Sequence, residues 1–170
     1  MSQLTLDDLK VDIKVNGKTR NFDFNKELAI NHENPSEFNR EMAQQPAKYA
    51  WMGILYSLAV KQHGDAKSAL KTKYAQLDKK HRKRREEEGV KITESLIEAD
   101  IERDKEYTDS VVKVLEAELN MNIMRVATDA FEQRKDMLIS IGSNLRHEMN
   151  QDINIKKAEV RERIRSRKEQ

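Results

Sequence analysis

Apolar residues fall in different rhythms along this chain. Near the start, Val11, Ile13 and Val15 alternate with polar residues, and Phe22 and Phe24 alternate again after Asn16-Gly17. A period of two sets one face of a strand against a core. Asn-Gly suits a type I′ turn, because both residues tolerate positive φ. The pattern predicts a small β-hairpin that must pack on something, since two strands alone are marginal. Residues 4–9, with Leu4 and Leu9 at the ends, can form a short amphipathic helix ahead of it.

The rhythm then lengthens. Asn34-Pro35-Ser36-Glu37 is a helix-start signal, followed by Phe38 and Met42, and Pro46 sits where it can open a new helix rather than break one. From 47 to about 88 there is no proline, and Tyr49, Met52, Tyr56, Ala59, His63, Ala66, Leu70, Lys73 and Leu77 step by three and four. That is the heptad seam of a long helix. Gly89 ends it, and Thr93 looks like the cap of a short helix through Ile101, with Leu96, Ile97 and Ile101 on one side.

Asp104 can cap a second long helix running from about 105 to 141 and beyond. Its expected stripe is Val112, Leu115, Leu119, Ile123, Val126, Ala130, Met137, Ile141 and Leu145, with Gly142 a weak point. The final stretch, 150–170, is either a frayed helix or a mobile tail. The fold class is therefore mainly α: a long antiparallel helical hairpin with a short connecting helix, a small N-terminal β-hairpin and a charged C-terminal helix or tail. Its expected divisions are 1–33, 34–149 and 150–170.

Two helices of roughly 40 residues are each about 60 Å long. Paired alone, they leave Trp51, Leu55, Leu58, Val114, Met124 and Phe131 wanting cover, and apolar area of that extent marks an association surface. A homo-oligomer is expected, with Tyr49, Trp51, Met52, Leu55, Leu58, Val126 and Phe131 at its interface.

Composition supports long elements. With 37% hydrophobic against 36% charged residues the chain cannot fill a thick multilayer core, and Gly 5 and Pro 2 give little punctuation. Lys+Arg 32 nearly balance Asp+Glu 30, so charge matters by location. Residues 71–91 hold nine basic and four acidic side chains, 92–110 hold seven acidic and two basic, and 156–168 hold seven basic and two acidic. Cys 0 removes disulfides and thiolate metal sites. No secretory leader is visible, and the apolar run 49–60 is far short of the ~20 residues that span a bilayer. A cytoplasmic protein without membrane contact is expected.

No phosphate-binding glycine loop, nucleophile elbow or His-Glu-x-x-His is present. His63 and Asp65 lack a further ligand at helical spacing, so a seam histidine is the favoured reading over a metal site. Glu86-Glu87-Glu88 lacks the apolar pocket that paired catalytic carboxylates need. No enzyme, cofactor or metal is expected. Lys71, Lys73, Lys79, Lys80, Arg82, Lys83, Arg84 and Arg85, with Tyr74 and His81 interleaved, offer what a single nucleic-acid strand needs: charge for phosphates and rings for splayed bases. The rival reading is a solvated helix end whose cations favour the C-terminal dipole; composition does not separate the two. Tyr49, Trp51 and Tyr56 could stack bases, but their offsets amid Met52, Ile54, Leu55 and Leu58 favour a core or subunit contact.

Two stretches carry a family resemblance. One is Gln45-Pro46-Ala47-Lys48-Tyr49-Ala50-Trp51, running on to Leu70-Lys71-Thr72-Lys73-Tyr74. The other is Phe131-Glu132-Gln133-Arg134-Lys135-Asp136-Met137-Leu138-Ile139-Ser140, with Gly142-Ser143-Asn144-Leu145 beyond. Over residues 36–149 the chain resembles the UvsY-type recombination mediators of tailed phages. The resemblance implies a non-enzymatic recombination and repair factor that forms a ring-like hexamer or heptamer and binds single-stranded DNA. It would help a RecA-like recombinase displace single-strand-binding protein. The family's basic Leu-Lys-x-Arg-type segment falls on Leu70, Lys71, Thr72 and Lys73, where lysine replaces arginine and loses bidentate phosphate geometry. The N-terminal hairpin and the basic tail lie outside the resemblance.

Overall fold

The computed structural model describes residues 10–15 and 17–168, with side-chain environments as far as Arg161. The helix expected over 4–9 lies outside these residues. In chain order the described elements are β1 (Lys10–Val15), β2 (Lys18–Asp23), α1 (Phe24–Leu28), α2 (Pro35–Glu87), α3 (Glu94–Arg103) and α4 (Lys105–Lys168).

β1 and β2 pair antiparallel with Val15 opposite Lys18 and Lys10 opposite Asp23. Gly17, at φ 74, occupies the turn in a conformation that favours glycine. The expected alternation holds for Ile13, Val15 and Phe22, which are buried. Phe24 does not belong to the strand. Asp23 accepts a hydrogen bond from Lys26 N at 3.3 Å, capping α1, so Phe24 opens that helix and stacks on Phe22 with ring centroids 5.8 Å apart. The hairpin's apolar face then joins Met52, Leu55, Ala59, Met124, Ala127 and Phe131 in one core.

α2 starts where its signal stands: the Asn34 side chain accepts from Ser36 N and Glu37 N, with Pro35 in the first turn. Pro46, however, lies inside this 53-residue helix and opens no new one. A mid-helix proline removes one backbone hydrogen bond. Packing on both sides of it opposes a break, because Phe38 and Gln45 before it and Met52 after it are all buried. Gly89, at φ 65, ends α2: its N–H reaches Glu86 O, and Val90 N reaches Arg85 O.

α2 and α4 run antiparallel. The ring of Phe38 lies beside Gly142, Gln45 bonds to the Phe131 carbonyl, and Lys73 meets Glu106. On α2 the expected seam is largely the observed one, with Met52, Ala59, His63 and Leu77 buried, although Tyr49 turns outward. On α4 the expected stripe is at most half-buried, a level reached by Ile123, Ala130, Ile141 and Leu145. Val112, Leu115, Leu119, Val126 and Met137 are exposed, whereas Val114, Ala117, Met124, Ala127, Phe131 and Leu138 are buried. Ala117, Met124, Phe131 and Leu138 recur at seven-residue steps and match the heptad of α2. The expected stripe also holds seven-residue steps, Val112 to Leu119 to Val126 and Ile123 to Ala130 to Met137, so the two series differ in the side of α4 they occupy rather than in period.

One polar side chain sits on the buried face of α4. Arg134, 4% exposed, donates to Leu28 O at 3.2 Å, Ala29 O at 2.9 Å, Glu41 Oε2 at 2.8 Å and Gln45 Oε1 at 2.5 Å. It ties the end of α1 to both long helices. Nothing in the sequence spacing distinguished Arg134 from the surface cations around it.

α4 is also longer than expected, 64 residues through Lys168. It passes Gly142 unbroken and extends roughly 40 Å beyond the level of Phe38 at 1.5 Å per residue. Every residue from Arg146 to Arg161 is exposed.

Candidate nucleic-acid interface

The basic run occupies the C-terminal third of α2, where the chain turns back through α3. Leu77 buries against Ile97 and Ile101 of α3, with Ile92 and Tyr107 at the margin. This small second core holds α3 across the end of the hairpin and brings the acidic residues of the connector onto the basic helix. Thr93 stands at the cap of α3 as expected, though its hydroxyl makes no capping bond. Asp104 both closes α3 and caps α4, accepting from Glu106 N at 2.9 Å.

Ion pairs follow from that fold. Lys73 Nζ reaches Glu106 at 2.9 Å, and Lys80 Nζ reaches Asp104 at 3.2 Å and Glu106 at 3.6 Å. Arg82 bridges Asp78 at 2.9 Å and Glu94 at 2.6 Å. Arg84 and Arg85 converge on Asp100 at 3.1 and 2.7 Å, and Lys83 pairs with Glu87 at 3.7 Å. Among the described residues Lys71 and Lys79 have no ion-pair partner. The surplus of +5 over 71–91 therefore meets a deficit of −5 over 92–110, and this end of the molecule is neutral overall.

The pairs differ in burial, and that decides what each can do. Arg85 and Asp100 keep 13% and 15% of their side chains in solvent, and His81 and Asp104 keep 6% and 11%. These hold α3 in place. Lys80, Lys83 and Arg84 keep 50–77% exposed. Exposed ion pairs contribute little to stability, so these cations can exchange a carboxylate for a phosphate. Lys79 and Lys83, and Lys80 and Arg84, are each four residues apart and share the exposed side of the helix. Tyr74 stands one turn before Leu77, on the side of α2 that faces α3 and α4 rather than beside these cations, edge-on to Tyr107 with ring centroids 6.1 Å apart.

The titration behaviour reflects this packing. Arg85 beside Asp100 holds its carboxyl below the ordinary 3.8. The Glu106 N–H, aided by Lys80 and His81, does the same for Asp104. Lys73 lowers Glu106 below 4.5.

The residues expected at an oligomer interface are scattered. Met52, Leu55 and Phe131 are buried in the chain's own core at 3%, 1% and 0% exposure, so they are not available to a second copy. The hairpin takes the surface that two bare helices would have left open, and Leu58 is half-buried against the same core. Tyr49, Trp51 and Val126 are exposed. The Arg20 guanidinium lies over the Trp51 ring, 5.1 Å from its centroid. Val126 lines an apolar groove of about 470 Å³ with Val11, Phe24, Leu28 and Ile123.

Among the described residues no group of three His, Asp or Glu side chains is placed to hold a metal ion, and no helix is long and apolar enough to cross a membrane. His63 is buried in the seam, its Nε2 without a hydrogen-bond partner. Compared with known proteins, the sequence matches no family model, no curated protein and no solved structure.

Proposed function

We propose that this chain is a non-enzymatic mediator of homologous recombination, binding single-stranded DNA and promoting the loading of a RecA-like recombinase against single-strand-binding protein in the cytoplasm. The observation that carries the reading is the exposed group Lys79, Lys80, Lys83 and Arg84 at the hairpin end, with Lys71 and the half-exposed Tyr74 ring two to three turns earlier on the same helix. Phosphates take the place of solvent or a surface carboxylate at the cations, and a base stacks on the ring. The likeness of the 45–51 and 131–145 stretches to the mediator family supports the same reading. Assembly into a ring would repeat a modest site and raise avidity without a new kind of contact.

Anisotropy of a labelled single-stranded oligonucleotide tests it. Changing Lys79, Lys80, Lys83 and Arg84 to Gln should lower the slope of log affinity against log salt by roughly 3, at about 0.7 per phosphate contact. An unaltered slope removes this face from the proposal. One observation favours a second reading, a helical scaffold without nucleic-acid affinity. The acidic connector neutralises the basic run from within the chain, as charge blocks that only fix a fold would do. That reading predicts no binding at physiological salt.

A further inference from the structure

The strongest uncompensated positive charge lies at the opposite end of the molecule from the hairpin turn. Residues 156–168 carry seven basic side chains against two acidic, a surplus of +5 that exceeds the +2 of the whole chain. Unlike most cations of the α2 basic run, Lys156, Lys157 and Arg161 have no ion-pair partner among the described residues, and each is exposed. They stand on the part of α4 that projects beyond Phe38, where no other described element packs against it.

On the projecting helix, like-charged pairs at a spacing of four outnumber the opposite pairs Asp152 and Lys156, and Glu159 and Arg163. Lys157 and Arg161, Arg161 and Arg165, and Arg163 and Arg167 are like-charged at a spacing of four. Such pairs oppose helix formation, and an isolated helix of this length is marginal in water. A polyanion removes the repulsion and supplies a partner at once. Met149, Ile153 and Val160 are exposed and share one line of the helix, but Lys156 stands in that line between Ile153 and Val160, so a charged partner suits this stretch better than a purely apolar one.

We propose that the projecting end of α4 is a second nucleic-acid arm, binding the phosphate backbone through Lys156, Lys157, Arg161 and the basic positions that follow. This rests on the reading of the chain as a single-strand binder, and places a contact on the protein far from the basic run of α2. Lys80 is level with Asp104, and Arg161 lies 57 residues further along α4, about 85 Å at 1.5 Å per residue. Contacts at both ends would let one subunit hold two separated segments of a strand.

The test uses the full chain, a labelled single-stranded oligonucleotide and three variants read by salt dependence. Changing Lys156, Lys157, Arg161 and Arg165 to Gln, a good helix former, should lower the log-log slope by roughly 3. A control changing the exposed Lys14, Lys18, Lys61 and Lys67 to Gln alters net charge equally and should leave the slope within about 1 of the parent. The quadruple variant at Lys79, Lys80, Lys83 and Arg84 reports the other face. If the parent binds and the arm variant keeps its slope, the arm is overturned while the mediator reading stands. An equal fall in the control also overturns it, because net charge alone would then be responsible. A change of mass in the arm variant with no change of slope overturns it in favour of a contact between copies. No binding by the parent protein overturns the mediator reading itself.

Discussion

Arg134 of α4 donates Nη1 to Gln45 Oε1 of α2 at 2.5 Å, and Gln45 donates back to the Phe131 carbonyl at 2.6 Å. These residues belong to the two stretches whose wording carries the family resemblance, so those stretches form one buried polar knot. Changing Arg134 to Met removes the guanidinium from Glu41, Gln45 Oε1 and the Leu28 and Ala29 carbonyls. Loss of one partner from a buried pair costs 3–5 kcal/mol, and the lower figure of about 3 applies because Glu41 keeps 20% of its side chain in water. Urea unfolding should show a lower midpoint at unchanged m; a shift within about 0.5 kcal/mol would mean the knot is dispensable.

The two apolar stripes of α4 differ in role. Phe131→Ala should lose about 3–5 kcal/mol of stability. Leu119→Ser and Val126→Ser, on the exposed stripe, should stay within roughly 0.5 kcal/mol. If those two exposed positions destabilise the monomer as Phe131 does, the assignment of the buried face is wrong. If they reduce the mass of an assembly in solution and spare its unfolding, the exposed stripe is where copies meet.

Gly142 is a helical glycine whose added Cβ would meet Phe38 at 3.5 Å and Met42 Sδ at 3.7 Å, both ordinary contacts. Gly142→Ala should therefore stabilise the protein by about 0.5–1 kcal/mol through helix propensity. Thermal unfolding at a lower temperature than the parent would show that the two helices approach too closely there for a methyl group.

Acid should release α3 before the main core. Asp100, Asp104 and Glu106 have folded pKa values below their ordinary ones. Their contribution to stability is complete above the unfolded values of 3.8 and 4.5. It is lost as pH falls through the lower folded values. Amide exchange should show α3 protected at pH 6 and opening ahead of α2 residues 52–59 below about pH 4. Simultaneous opening of both would mean the ion pairs do not hold α3.

Local signals were the legible part of this fold. Asn34, Gly89 and Asp104 each mark a helix boundary through backbone chemistry that a short window reveals, and the hairpin was visible in Val11–Val15 alternation. The face of α4 was not legible, because that helix carries two apolar series and only the partner packed on it selects between them. The neutralisation of the basic run required knowing that Leu77, Ile97 and Ile101 fold α3 back onto α2, although the matched +5 and −5 blocks were already in the sequence. Arg134 was hidden because spacing does not distinguish a buried cation from an exposed one.

The salt dependence of single-strand binding by the unmodified chain tests the central claim most directly. Anisotropy with a labelled single-stranded oligonucleotide should show binding at about 50 mM salt. Affinity should fall linearly on log-log axes with a slope near −3 or steeper, corresponding to about four or more phosphate contacts. Absence of binding at that salt, or a slope near zero, would contradict it and leave the helical scaffold as the better account.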